Sequence, residues 1–225
     1  MWDAVDEGGS FVEALDPGEI KELRSLGRRR RFPRGTTLFN EGETSDRVVL
    51  VEEGRVKISY FTEEGKEVLL ALRGPGDLLG EFSAFDDEPR SATGTAMDDV
   101  EALVLGKDDF RTYLEGNGRV ALHLLRLVTG KLRDADRKRV EFAAYDTVGR
   151  VARRLVELME RFGEGADTGV RIAVPLSQEE LAGWTGSSRE AVAKALQTMR
   201  NRGWIETHRR GTTILDPEAL RKRAT

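Results

Sequence analysis

Leu176-Ser177-Gln178-Glu179-Glu180-Leu181-Ala182-Gly183-Trp184-Thr185-Gly186-Ser187-Ser188-Arg189-Glu190-Ala191-Val192-Ala193-Lys194-Ala195-Leu196 carries two helix starts on either side of a glycine turn. Ser177 and Glu180 stand in capping-box spacing, in which hydroxyl and carboxylate satisfy the orphan amides of a first helical turn. A short helix is expected to stop at Gly183-Trp184-Thr185-Gly186. Ser187-Ser188-Arg189-Glu190 repeats the box. Ala191, Val192, Ala195, Leu196 and Met199 then fall at i, i+1, i+4, i+5 and i+8, one apolar face of a second helix. Two capped helices meeting at a glycine are the sequence form of a helix-turn-helix, whose second helix lays its N-terminal residues against base edges in the major groove.

The opposite face of that second helix holds Arg189, Glu190, Lys194 and Gln197. Arg can fork onto guanine O6 and N7, Glu can accept from cytosine N4, and Lys can reach guanine or phosphate. Alone, the four residues are better read as an ordinary solvated helix face. Context favours DNA: residues 204–208 and 212–215 flank Arg209-Arg210-Gly211, a hairpin with a basic tip suited to a phosphate backbone. Ser177, Gln178 and Ser188 at the helix starts complete the candidate contacts to double-stranded DNA.

Outward from this motif, 225 residues with 39% hydrophobic and 34% charged side chains suit two small globular domains. With no cysteine there is no disulfide framework, thiolate-held cluster or thiol switch, and two histidines, His123 and His208, cannot build a multi-His metal site within one chain. No Ser-His-Asp signature or phosphate-transfer loop is present, so no enzyme, catalytic residue, metal or covalent cofactor is expected. Apolar runs are broken by charge, and residues 1–7 have neither a basic nor an apolar leader region, so a cytoplasmic protein with no membrane partner is expected. Residues 1–125 carry 16 basic against 26 acidic side chains and residues 126–225 carry 20 against 14, which suggests that the second part meets something anionic.

Residues 10–26 read as short helical turns packed on something else. From Arg31 to Leu105, short apolar or alternating runs are punctuated by Gly35, Gly42, Gly54, Gly65, Gly74 and Gly76, which argues for an antiparallel sandwich or barrel. Arg28-Arg29-Arg30-Arg31 fits a solvated strand edge better than a polyanion patch. From Ala121, the positions Leu125, Val128, Leu132, Ala135, Arg139 and Phe142 follow spacings of 4, 3, 4, 3, 4 and 3. That heptad seam suggests a homodimer, although a helix packed on its own domain is the plainer alternative. A further apolar helix spans residues 151–159, and the stretch from Gly163 to Gly169 reads as a loop.

Residues 176–203 resemble the winged helix-turn-helix of the cAMP receptor protein/FNR family of bacterial transcription regulators, and Asp146-Thr147-Val148-Gly149-Arg150-Val151-Ala152 resembles that family's interdomain hinge. The resemblance implies an α+β fold: an N-terminal cyclic-nucleotide-binding β-roll (a double-stranded β-helix or jelly-roll) over residues 1–116, a long dimerisation helix over 117–145 and a winged helix-turn-helix over 146–225. It also implies that Arg189, Glu190 and Lys194 read palindromic DNA with GTGA-like half-sites. RNA polymerase is a further candidate partner, with no readable signature on any surface segment.

Gly80-Glu81-Phe82-Ser83-Ala84-Phe85-Asp86-Asp87-Glu88-Pro89-Arg90-Ser91 resembles the family's phosphate-binding cassette. Gly80 lets backbone approach a ligand, Glu81 offers a carboxylate to a ribose 2′-hydroxyl, and amides at the start of the short helix from Phe82 and Ser83 point at an anion. Arg90 can fork onto cyclic phosphate oxygens beside the Ser91 hydroxyl. A Glu–Arg pair fastening a loop is the alternative. Where the family's cAMP binders present Thr followed by Ser or Asn to adenine, Ala135 and Asp136 stand here. Ala135 cannot hydrogen-bond and Asp136 only accepts, with Arg133 and Arg139 as easier partners. The effector implied is cAMP, with cGMP second. A vestigial or repurposed pocket, and a cyclic-nucleotide module that contacts protein instead of DNA, are the other readings.

Overall fold

The computed structural model describes residues 10–44, 46–209 and 211–224. Arg210 and residues 1–7, the subjects of two of the expectations above, lie outside them. The chain divides into two compact units, residues up to Thr62 with Leu70–Asp134, and Glu63–Leu69 with the residues from Ala135 on.

In the first unit, a single 3-10 turn (Phe11–Ala14) and α1 (Pro17–Leu26) form the expected preface. Asp16 starts α1 with a complete capping box to Glu19 and a proline in the first turn. The strands are β1 (Gly27–Phe32), β2 (Thr37–Phe39), β3 (Arg47–Glu53), β4 (Val56–Phe61), β5 (Glu67–Arg73), β6 (Leu78–Leu79), β7 (Thr93–Ala96) and β8 (Val100–Gly106), and all their resolved pairings are antiparallel. They lie in two four-stranded sheets, β1-β8-β3-β6 and β2-β7-β4-β5, the antiparallel layers expected from the glycine-punctuated runs and the β-roll that the family resemblance implies. Alternation splits the strands between two cores. Val48, Leu50, Leu103 and Leu105 face the helices with Phe11, Leu23 and Phe110. Val49, Val51, Val56, Ala102 and Phe32 face the roll interior. β1 is an edge strand whose four arginines are exposed, as a charge-protected edge requires.

Between β6 and β7 lies the five-residue α2 (Glu81–Phe85), and after β8 come α3 (Lys107–Gly116) and the 27-residue α4 (Gly118–Ala144). Val120 and Leu124 of α4 are buried in the helix-side core, with Leu127 and Val128 packed against it. Leu122, Leu125, Leu132 and Val140 are about 60% exposed. The heptad seam therefore divides: Val128 serves its own domain and Leu125 and Leu132 do not.

In the second unit, α5 (Thr147–Phe162) is capped by Asp146, whose carboxylate accepts from the Gly149 amide at 2.8 Å. The loop expected over 163–169 is corrected: β9 (Gly163–Gly165) pairs with β10 (Val170–Ile172) and extends the wing sheet to the order β11-β12-β10-β9. A Gly-Glu-Gly segment has neither strand propensity nor alternation, so only its backbone pairing makes it a strand. Then follow α6 (Gln178–Thr185), α7 (Arg189–Asn201), β11 (Ile205–His208), β12 (Gly211–Ile214) and α8 (Pro217–Arg223). Gly186 ends α6 at φ 56°, the left-handed position that glycine takes without penalty, and a Cβ there would lie 2.5 Å from the Phe142 ring.

Phe110 is completely buried, edge-on to Phe11 with ring centroids 6.3 Å apart. Phe110→Ala is expected to destabilise the protein by about 3–5 kcal/mol, read as a shift in urea midpoint.

Candidate functional site

The cassette residues converge at the β6–α2 junction. Gly80 sits at φ 76° as the residue before α2, which begins at Glu81, one residue earlier than the sequence suggested. A Cβ on Gly80 would lie 1.6 Å from Arg90 Nη1, so the absent side chain is the space that the guanidinium occupies. Arg90 is 4% exposed. Its Nη2 donates to the Arg47 carbonyl at 2.5 Å, its guanidinium carbon lies 4.7 Å from the Phe39 ring centroid, and its backbone is fixed by Gly42 N to Arg90 O at 2.8 Å and Arg90 N to Glu43 O at 2.9 Å. Nε and Nη1 are buried with no hydrogen-bond partner. Desolvation lowers the Arg90 pKa, and the nearby Glu81 carboxylate works against that shift. A guanidinium remains charged in this setting, so two buried donors of a cation are left without an acceptor.

Glu81 is 3% exposed and accepts from Lys131 Nζ of α4 at 2.6 Å. Lys131 also reaches the Leu78 carbonyl at 3.4 Å and lies 5.9 Å from the Phe82 ring centroid. Ser83 is buried, Phe82 is exposed and Ser91 is exposed at the surface of the loop. On the far side of the loop, Asp87 adopts φ 59° and accepts from Lys107 Nζ at 2.6 Å and Arg111 Nη2 at 3.0 Å. Lys107 first, then the Arg111 charge, holds the Asp87 carboxyl below its ordinary range. Ala135 and Asp136 belong to the other unit and are exposed, and Asp136 Oδ1 pairs with Arg139 Nη1 at 3.6 Å, the surface partnership the sequence offered as the easier one.

Lys131 was missed because it reads as one of several cations around an apolar seam. The available signal was its place one turn before Ala135, on the same helix face.

In the second unit, Ser177 caps α6 with the full box to Glu180. α7 begins one residue later than the repeat of that box implies: Ser188 is the N-cap, accepting from the Ala191 amide at 3.2 Å, and N3 is an alanine, so only half the box forms. Ser187 Oγ instead receives Arg150 Nη2 at 3.1 Å. The later start does not change the face: Arg189, Glu190, Lys194 and Gln197 lie outward, with Val192, Ala195, Leu196 and Met199 buried beneath. Ser177, Gln178 and Ser188 are exposed at the two helix starts, and Arg209 is exposed at the hairpin tip. Glu190 is held below the ordinary carboxylate range by its own backbone amide and then by Ser188, so it is ionised at neutral pH and presents an acceptor. Gln197 is engaged within its helix, donating to Asn201 at 2.7 Å and accepting from Arg200 at 2.7 Å.

Among the described residues no cluster of side chains could hold a metal ion, and no helix is long and apolar enough to cross a membrane.

Residues 29–117 match the cyclic nucleotide-binding domain family, and residues 149–223 match the Crp-like helix-turn-helix domain family. The chain is 36% identical over 222 residues to the CRP-like cAMP-activated global transcriptional regulator of Mycobacterium tuberculosis, covering 99% of both chains. It belongs to the CRP-like family of transcriptional regulators. The cyclic AMP receptor protein of Thermus thermophilus is 31% identical over 199 residues, 88% of this chain and 89% of that one. A solved CRP/FNR-family regulator from Thermus thermophilus superposes with a TM-score of 0.74 at 26% identity, covering 88% of this chain and 98% of that one. This is a DNA-binding transcription regulator of the CRP family with a cyclic nucleotide-binding domain, and the relatives it matches are regulators, not enzymes.

Gly80→Ala is expected to force the Arg90 guanidinium aside and destabilise by about 1–3 kcal/mol. Gly130→Ala, in open space on α4, is expected to be neutral or to stabilise by up to about 1 kcal/mol. Paired urea titrations read both.

Proposed function

We propose that the protein is a homodimeric, cytoplasmic regulator whose DNA affinity is set by a cyclic nucleotide, cAMP first and cGMP second, bound at Gly80, Glu81, Phe82, Ser83, Arg90 and Ser91. The observation that carries the effector is Arg90, buried to 4% exposure with Nε and Nη1 unpartnered. A cyclic phosphate would bring the acceptors that these donors lack, and Glu81, which accepts from Lys131, would also accept from a ribose 2′-hydroxyl. The domain plan that goes with this reading is an effector domain over 1–116, a dimerisation helix over 117–145 and a DNA-binding domain over 146–225. The exposed stripe of Leu122, Leu125, Leu132 and Val140 supports pairing through α4, since a second copy is what would take those side chains out of water. Arg189, Glu190 and Lys194 would then be offered twice, to a two-fold-symmetric site with GTGA-like half-sites, with Arg209 and Arg210 beside the backbone. RNA polymerase is a further partner in this reading.

A second reading keeps the regulator and gives the pocket another small molecule. It is favoured by the apolar Ala135 and by Asp136 being paired with Arg139, which leaves the purine end without the hydroxyls of the cAMP-binding pattern. Within the first reading, an Asp136 carboxylate released from Arg139 would suit the two donors of guanine and so cGMP.

Calorimetric titration with cAMP and cGMP, repeated on Arg90→Ala, separates these. Loss of a charge-assisted pair to the phosphate is expected to weaken binding by about tenfold or more. Heat that survives the substitution unchanged removes the phosphate role, and a wild-type protein that binds neither nucleotide favours the second reading.

Arg189→Ala is expected to weaken duplex binding by about 1–3 kcal/mol and to relax specificity at one base pair. Affinity for any duplex should also fall steeply with added salt. Gel-shift titrations in which Arg189→Ala matches the wild type would overturn the base-reading assignment and leave the protein-contacting module.

A further inference from the structure

Gln197 stands in the outward row of α7, yet both ends of its carboxamide are engaged. Its Oε1 accepts from Arg200 Nη2 at 2.7 Å, and its Nε2 donates to Asn201 Oδ1 at 2.7 Å, each partner one turn along the helix. The other arm of the same guanidinium leaves the helix. Arg200 Nη1 donates to Thr207 Oγ1 on β11 at 3.0 Å. Arg200 and Thr207 are half-buried, whereas Gln197 and Asn201 are exposed. A chain of polar contacts therefore runs from Asn201 through Gln197 and Arg200 to Thr207, from the helix to the wing.

The two ends of β11 are held differently. Next to α7 the backbone fixes the strand: Gly203 N donates to Arg200 O at 2.9 Å, Trp204 N donates to Met199 O at 3.0 Å, and Ile205 is buried. Further out, β11 is the edge strand of the sheet β11-β12-β10-β9, with β12 as its strand neighbour on one side. His208 and Arg209 at the outer end are exposed, and the His208 ring meets Thr213 of β12 at 3.0 Å, a contact internal to the hairpin. Thr207 lies two residues before Arg209, and its hydroxyl is where an α7 side chain reaches this outer half. Arginine suits such a bridge because its planar fork holds two acceptors in fixed directions at once. Arg200, Thr207 and Arg209 line one cleft with Ser177 and Gln178 at the start of α6, so the tie lies among the candidate contacts to the DNA backbone.

We propose that Arg200 is a positioning residue that sets the wing against the recognition helix, with Gln197 as its anchor on α7 and not as a reader of bases. Through Thr207 it fixes where Arg209 stands relative to Arg189 and Lys194. That the partner is DNA rests on the proposed function; the tie does not.

Duplex titrations over a range of salt separate positioning from direct contact. Arg209→Ala should lose one phosphate contact and reduce the slope of log affinity against log salt by about one unit. Thr207→Val changes no charge, yet it should weaken binding by about threefold or more and take away at least about half a unit of slope. Arg200→Lys, which keeps the charge and loses the fork, should do the same. Thr207→Ser keeps the hydroxyl and should stay within about twofold of the wild type. Adding Thr207→Val to Arg209→Ala should cost no more than about a further twofold, because both act through one contact. Gln197→Ala should weaken all duplexes alike and leave base preference as it was. Wild-type affinity and slope in Thr207→Val, or a Thr207→Val loss that adds in full to that of Arg209→Ala, overturns the positioning role. A changed base preference in Gln197→Ala overturns its assignment as an anchor.

Amide hydrogen exchange on the full chain without DNA judges the tie by itself. In Thr207→Val and in Arg200→Lys, amides of residues 206–208 should exchange about fivefold faster than in the wild type, with those of residues 192–196 within about twofold. Unchanged exchange at 206–208 overturns the tie. A wild type that binds no duplex at low salt counts against the proposed function instead, and the exchange rates then decide the tie alone.

Discussion

One helix has to satisfy two chemical neighbourhoods along its length, and the placement of both candidate surfaces depends on it. The N-terminal turns of α4 bury Val120 and Leu124 in the core that also holds Phe11 and Phe110. In its middle, Lys131 compensates the buried carboxylate of Glu81. In its last turn, Glu141 compensates the buried Arg154 and the half-buried Arg153 of α5. Apolar burial fixes the first part of the helix without strict direction, and the two charge pairs add direction, because a buried ion tolerates few geometries. The outer stripe of leucine and valine satisfies neither neighbourhood.

The cassette proposed above as the effector site holds unfavourable terms in reserve. Arg90 is desolvated, backed by an aromatic ring and a glycine without a Cβ, and leaves two donors unsatisfied. Each such donor costs about 1–3 kcal/mol in the empty protein, and an anion that reaches it recovers that energy on binding. The surrounding contacts make this geometry rigid before any ligand arrives: the backbone pairs at Gly42 and Glu43, the Arg47 carbonyl, and the Asp87 anchor to α3. Preorganisation of this kind turns the energy of contact into affinity in place of spending it on ordering.

The helix-turn-helix was legible because its signals are local. Capping residues, an apolar period of 3.6 and a glycine at the turn act within four residues of one another, so they survive in the sequence with little help from the fold. Even there the start of α7 moved from Ser187 to Ser188, since the Ser187 hydroxyl is taken by Arg150, 37 residues away. The strand β9 was hidden for the opposite reason: a Gly-Glu-Gly segment has no preference of its own and takes its shape from the strand beside it. Lys131 and Glu141 carry no local signal because their partners lie 50 and 13 residues away. The heptad seam promised a single purpose, while Val128 turned inward to the domain's own core and Phe142 onto the turn glycine.

Composition, periodicity and capping by themselves determined the kinds of element, the division into a strand-rich first part and a helical second part, the exclusion of thiol and multi-His metal chemistry, and the outward row from Arg189 to Gln197. These follow from interactions between residues a turn or a strand apart, or from the mere absence of a side-chain type. Tertiary structure alone decided which charges are buried and with whom: that Arg90 keeps two donors unpartnered, that Glu81 faces Lys131, and that Glu141 ends α4 inside the DNA-reading unit. Burial is a property of what surrounds a side chain on every side, and the same lysine or glutamate is a solvated surface charge or a fixed electrostatic anchor according to neighbours that only the folded chain assembles.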